Sequence, residues 1–381
     1  MQNSLLLNLT KPAVGLLTCF FSLAGEAILA QRSTTEQTQA VVWHDVQQWG
    51  IEGKGWSATE GFFDRFPSYA KAKVPLPVWN LSLQSAGLSV RFETNAQEIW
   101  VRYSLRSKQM ALPHMPATGV SGIDLYADDV DGQLRWLACT KPVKQTDSVK
   151  LITGLSATKN RYVAYLPLYN GLKSLEIGVP KNDAIEFAGI PPRQSRPIVF
   201  YGTSITQGAC ASRPGMAYPA LLGRRLGVPT LNLGFSGNGK MELAVAEVLG
   251  EIDASLFVVD CLPNMTADLV SERAIPFLRK LHELRPKTPI LLVEDRTYSN
   301  SWAIESKRKR HESARSALRT AVAELQDLPP GLLILAKGDE ILGPDSTTDG
   351  SHPSDLGFVE YANYLEPLIR SACNACPAEA E

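Results

Sequence analysis

The chain has 381 residues, 44% of them hydrophobic, enough to bury a large core divided between two domains. Its 38 Lys and Arg against 39 Asp and Glu leave a formal net charge of −1, which gives no reason to expect nucleic acid or another polyanion as partner. The basic run Lys307–Arg310 falls inside a helical pattern and reads as a solvated face.

The first thirty residues stand apart. Lys11 leads into an apolar stretch, Ala13 to Leu29, broken by Glu26 and followed by Ala30 and Gln31. That order resembles a secretory signal peptide cut after Ala30, so residues 1–30 are expected to direct export to the periplasm or the exterior. A lipoprotein reading through Cys19 is weaker, because Thr18 precedes it and apolar sequence continues beyond it. An uncleaved anchor would need a longer, uncharged run. No other stretch could span a membrane, so no membrane span is expected after cleavage. Residues 31–40 are polar and are expected to be disordered.

From about Val41 to Gly189 the chain reads as short strands separated by turn residues. Leu88–Glu93 and Glu98–Tyr103 show period two and are joined by Thr94–Gln97. Gly122–Tyr126, Leu134–Leu137, Arg161–Tyr165 and Ser174–Val179 continue the pattern, and no long helical period appears. An antiparallel β-sandwich over 41–190 is the expectation. Pro191–Pro197 has the composition of a linker.

Strands and helices then alternate. Strands are expected near Thr230 and over Ser255–Asp260, Pro289–Glu294 and Leu332–Leu335. Helices are expected over Met216–Leu226, from about Lys240, and over Ala267–Leu284, Ser301–Leu325 and Ser354–Arg370. Such alternation predicts a parallel sheet covered on both faces, spanning 197–372. Cys210 and Cys261 are expected near the carboxyl edge of adjacent strands, where a disulfide and two buried free thiols suit the sequence equally. Cys373 and Cys376 sit in a polar, Ala-rich tail with no second pair, so they read as a tail feature and not a zinc or redox site.

One stretch carries the chemistry. Pro197–Tyr201 reads as a buried strand that stops at Gly202, and Ser204 projects from the turn before Gly208. Strand, tight turn with a serine, then helix is how an open α/β sheet presents a nucleophile at its carboxyl edge. A serine hydroxyl needs a base beside it. Far downstream, Asp349-Gly350-Ser351-His352 sets a carboxylate and an imidazole three residues apart, so one turn could aim the Asp at one ring nitrogen and leave the other for Ser204.

These residues resemble the SGNH (GDSL-type) esterases. Gly202-Thr203-Ser204 is similar to their first block, with Thr203 where the usual Asp stands. Asn232–Asn238 is similar to the second block and Leu262–Met265 to the third, with Leu262 and Met265 as departures. Asp349 and His352 match the last block. Gly122-Ile123-Asp124-Leu125-Tyr126 resembles the GxDLY signature of an N-terminal domain attached to one subgroup. The resemblance implies a flavodoxin-like α/β hydrolase domain with a parallel sheet, preceded by the antiparallel sandwich. It also implies five site residues: Ser204 as nucleophile, His352 as base, Asp349 as its orienting carboxylate, and Gly237 and Asn264 as oxyanion donors.

The expected activity is hydrolysis of short acyl esters, acetyl above all, on a small acyl ester or an acylated glycan. An acyltransferase using the same triad and a non-catalytic glycan-binding protein are the alternatives. Gly237 could instead be a simple turn glycine, and Asn264 could cap the helix starting near Ala267. Arg213, Asn238, Lys240, Glu294 and Arg296 are expected on the catalytic edge, where the charges would either favour a polar or sugar-bearing substrate or only pair with each other. No metal or phosphate-cradling motif occurs, since the glycines of Gly234–Gly239 lack the lysine of a P-loop, and no cofactor is expected.

Overall fold

Among the described residues nine strands precede residue 191: β1 (Val41–Asp45), β2 (Ser89–Thr94), β3 (Glu98–Leu105), β4 (Asp124–Asp128), β5 (Leu134–Cys139), β6 (Thr146–Thr153), β7 (Asn160–Tyr165), β8 (Leu172–Pro180) and β9 (Phe187–Ile190). The computed structural model describes residues 40–182 and 184–373. The expected signal segment 1–30, nearly all of 31–40, and Cys376 lie outside the described residues. The nine strands form two antiparallel sheets, ordered β1-β8-β3-β6 and β5-β4-β7-β2-β9. Period two decides what faces inward: along β3, Ile99, Val101, Tyr103 and Leu105 are buried and the residues between them only half so. They meet Val90, Phe92, Leu125 and Ala164 of the other sheet in one core, which makes the pair a sandwich. Thr94–Gln97 carries the chain from one sheet to the other, with the Thr94 hydroxyl accepting the Ala96 N–H at 3.1 Å.

The second half holds β10 (Ile198–Gly202), β11 (Thr230–Gly234), β12 (Leu256–Asp260), β13 (Ile290–Val293) and β14 (Leu333–Ala336). All are parallel, in the order β11-β10-β12-β13-β14. That is the flavodoxin-like order, with its switch point beside β10. Two short helices, α1 (Leu76–Ser82) and α2 (Ala117–Val120), belong to the first half. After β10 come α3 (Ser204–Gln207), α4 (Tyr218–Leu226), α5 (Leu243–Leu249), α6 (Ala267–Leu284), α7 (Glu305–Ala323) and α8 (Asp355–Ala372). Successive residues of β10 feed opposite cores. Val199 and Tyr201 pack with α5, α6 and α7; Ile198 and Phe200 pack with α4 and α8. Strands buried on both faces in this way read as continuous apolar runs. None of the described helices is long and apolar enough to cross a membrane.

The two halves share core. Phe66, Ala70, Val74, Val78 and Trp79, from the segment between β1 and β2, pack into the α5–α6 face. Residues from Gln39 onward accordingly make one compact unit. Arg65, 1% exposed, sends its guanidinium to four carbonyls: Leu81, Gln84, Asn232 and Gly234, at 2.7–2.9 Å. The stretch expected as a linker is tied down as well. Arg193 pairs with Glu52 at 3.0–3.1 Å and donates to the Gly227 carbonyl at 2.7 Å. Cys210 and Cys261 are both free thiols, buried in different clusters: Cys210 against Met115, Val120 and Ala209, Cys261 in the main core.

Candidate active site

The turn that holds Ser204 begins where β10 runs out. At Gly202 a Cβ would meet Thr206 Oγ1 at 2.2 Å and the Asp260 carbonyl at 2.5 Å, so glycine is required there. Thr203, standing where the resemblance expected Asp, still caps: its hydroxyl accepts the Ile205 N–H at 3.3 Å. Gly208, in the left-handed region at φ +110°, ends the single turn of α3. Ser204 is thereby held at the start of that turn, 6% exposed, with Oγ aimed outward from the sheet edge.

His352 and Asp349 arrive from the segment after β14. His352 Nε2 lies 2.8 Å from Ser204 Oγ, and His352 Nδ1 lies 2.8 Å from Asp349 Oδ2. Gly350, at φ +87°, makes the turn that allows both contacts. The other oxygen of Asp349 accepts the N–H groups of Ser351 and His352 at 3.0 and 2.8 Å. Burial alone would raise the Asp349 carboxyl. The His352 and Ser351 amides and the imidazole outweigh it and bring it down to about 2. A hydroxyl bonded to an imidazole whose far nitrogen faces an ionised carboxylate can be deprotonated as it attacks.

An arginine fastens this turn. Arg296, 1% exposed, donates Nε and Nη2 to the Ser351 carbonyl at 3.1 and 2.9 Å, and Nη2 to Ser351 Oγ at 2.5 Å. Its Nη1 pairs with the buried Asp295 carboxylate. Ser299 adds two contacts, N–H to the Gly350 carbonyl at 3.2 Å and hydroxyl to Thr347 at 2.6 Å. α7 starts at Glu305 and not near Ser301 as the pattern predicts, because Ser301, Ala303 and Ile304 donate back to Tyr298 and Asn300 in irregular turns. Beneath Ser204, Asp260 Oδ2 accepts the hydroxyls of Tyr361, Tyr218 and Thr206 at 2.9, 3.1 and 3.4 Å. Full burial lifts this carboxyl to about 6 despite those donors.

Gly237 and Asn264 come from the loops after β11 and β12. Gly237 is left-handed at φ +69° with open space where a Cβ would stand. The N–H groups of Ser204 and Gly237 donate to no acceptor among the described residues. Asn264 is not the cap of α6, because Thr266 takes that place and accepts the Leu269 N–H at 3.4 Å. One amide N–H of Asn264 is used, donating to the Asn238 carbonyl at 2.6 Å, which joins the two loops. Arg310 braces the same corner through the Pro263 carbonyl at 2.9 Å, so the last residue of the basic run turns inward while Arg308 and Lys309 stay exposed. Among the described residues, no group of three or more His, Cys, Asp or Glu could hold a metal ion.

The expected ring of substrate-facing charges needs correction. Arg296 and Glu294 are buried, the first on Ser351 and Asp295, the second against Arg319 at 2.6 and 2.8 Å. Arg213 pairs with Asp124, the acidic residue of the GxDLY stretch, at 3.0 Å and lies over Trp136. Paired charges of this kind hold loops in place and present little to a ligand. Asn238 and Lys240 stay half-buried beside Gly237. Two neighbours of the site had no sequence signal. Tyr169 reaches the Ser204 carbonyl at 3.4 Å, and the His114 ring lies 5.8 Å from that of His352, centroid to centroid. Both come from stretches outside any strand pattern, brought in by tertiary packing.

Residues 195–370 match the model of the GDSL-like lipase/acylhydrolase family, and residues 41–185 match the GxDLY N-terminus of SGNH-type esterases. A Bacteroides ovatus protein described as a GDSL-like lipase has 33% identity and a TM-score of 0.83, over 87% of this chain and 98% of that one. A salicylyl-acyltransferase from a tetracycline biosynthetic pathway is 17% identical, TM-score 0.66, over 88% of this chain and 98% of its own. A family two carbohydrate esterase from Cellvibrio japonicus is 14% identical, TM-score 0.57, over the same shares. The last two likenesses are of fold alone. No curated protein matches the chain.

Proposed function

The chain belongs to the GDSL-type (SGNH) lipase/acylhydrolase family and is an ester-hydrolysing enzyme, and on that premise we propose that Ser204, His352 and Asp349 are its catalytic triad and short acyl esters of carbohydrate its substrates. The observation that carries the first part is the unbroken chain of 2.8 Å contacts from Ser204 Oγ through the imidazole to Asp349. His352 takes the Ser204 proton as Oγ adds to the ester carbonyl, and the ionised Asp349 holds the imidazolium that results. The carbonyl oxygen becomes an oxyanion, received by the N–H groups of Ser204 and Gly237 and the free N–H of Asn264. His352 returns the proton to the departing alcohol, and water repeats the sequence on the acyl-enzyme. The carbohydrate part rests on the likeness to carbohydrate esterases in fold and on the N-terminal pattern expected to direct export.

Ser204→Ala should abolish hydrolysis of a small activated ester while thermal unfolding stays nearly unchanged; turnover within a few-fold of wild type would refute the nucleophile. For the acyl group, kcat/KM should be highest for acetyl and fall as the chain lengthens. A lipid-type pocket would do the reverse, gaining roughly 0.8 kcal/mol per buried methylene.

A further inference from the structure

The turn at Pro113–His114 comes from the sandwich half of the chain yet stands beside the base. Leu112 and Met115 exchange two backbone hydrogen bonds of 3.0 Å, which makes Pro113 and His114 the centre of a two-residue turn. Met115 anchors it: it is buried against Val120, Ala209 and Cys210, the last two directly beyond α3. Thr118 adds a hydroxyl bond to the Ser212 carbonyl at 2.5 Å. His114 is left at the tip, exposed, its ring tilted 36° to that of His352 and 5.8 Å away. Its nitrogens have no hydrogen-bond partner among the described residues.

Ester cleavage dictates which part of a substrate lies there. The carbonyl oxygen must face the donors at Ser204, Gly237 and Asn264, while the leaving oxygen must receive its proton from His352 Nε2. The alcohol therefore sits on the His352 side, within reach of His114. A neutral imidazole offers one donor and one acceptor, which complements a hydroxyl group. We infer that His114 is a specificity-determining residue that hydrogen-bonds hydroxyls on the alcohol part of the ester, so that the leaving group is a polyhydroxylated alcohol of the sugar class. This rests on the assignment of Ser204 and His352 above.

The test holds the acyl group constant and varies the alcohol. Wild type, His114→Ala, His114→Gln and Ser204→Ala are assayed on a sugar acetate and on ethyl acetate, with Tm measured for each. His114→Ala should lose about tenfold more kcat/KM on the sugar acetate than on ethyl acetate, the scale of one hydrogen bond. His114→Gln, which keeps a donor and an acceptor, should recover part of that difference. Equal losses on both esters at unchanged Tm would make His114 a support for His352 and overturn the inference, as would no loss on either. If Ser204→Ala keeps its turnover, the triad assignment fails first and takes this inference with it.

Discussion

Asn264 shows how little a sequence position says until its bonds are counted. Its amide has two N–H groups, and one is committed to the Asn238 carbonyl. Asn264→Ala should therefore lower kcat by on the order of 10²–10³ through the lost oxyanion contact. A drop in stability with turnover per folded molecule retained would leave it only the loop-joining role. The carboxylates titrate in opposite senses. Asp349 is held at about 2, below its unfolded value near 3.9, so its contribution to stability is present above pH ~4 and is lost as pH falls toward 2. Asp260 is lifted to about 6, so its contribution is present below pH ~4 and is lost as pH rises through 6. Tm measured across pH 4–7 should decline less steeply with rising pH in Asp260→Asn than in wild type.

The elements that aim these groups were legible to different degrees. α6 runs over Ala267–Leu284 as its periodicity predicts, with Thr266 as cap. The β10 run of five buried residues is plain from its β-branched and aromatic content. By contrast, β6, with alternate residues exposed, shows only a weak apolar period, and the four residues of β9 are too short a run to show one. The start of α5 slipped for a local reason. Gly239 and Met241 are left-handed, and the Lys240 N–H bonds to the Glu242 carboxylate, so the helix begins only at Leu243. The charges on the catalytic edge were legible as residues but not as pairs, because pairing depends on which strands lie together. Arg296 is the case with consequences. Arg296→Lys keeps a positive charge for Asp295 but cannot fork across Ser351. We expect kcat to fall roughly 10- to 100-fold with KM much less affected, the effect of a misplaced base. A lowered Tm with unchanged kcat per folded molecule would mean the arginine only stabilises the loop.

At the scale of the whole molecule the sandwich half and the sheet half make one compact unit with a shared core. Arg65→Met would strip a buried charge-assisted donor from four carbonyls and should cost at least about 3 kcal/mol. A smaller loss, read from denaturant unfolding, would mean water replaces the guanidinium. The same dependence predicts that residues 191–373 expressed alone would not fold to an active enzyme, and a soluble, active fragment would disprove it. The span of the Arg65 contacts also sets an order of events. Asn232 follows Arg65 by 167 residues and Gly234 by 169, so during synthesis the arginine waits for its acceptors. At about 5–20 residues per second that delay is roughly 8 to 33 s. Until β11 and the helices after it emerge, the segment carrying Phe66 and Trp79 lacks the face that buries it. The nascent chain thus spends that interval with an aromatic patch open to chaperones, and closes it in a late step that depends on distant contacts.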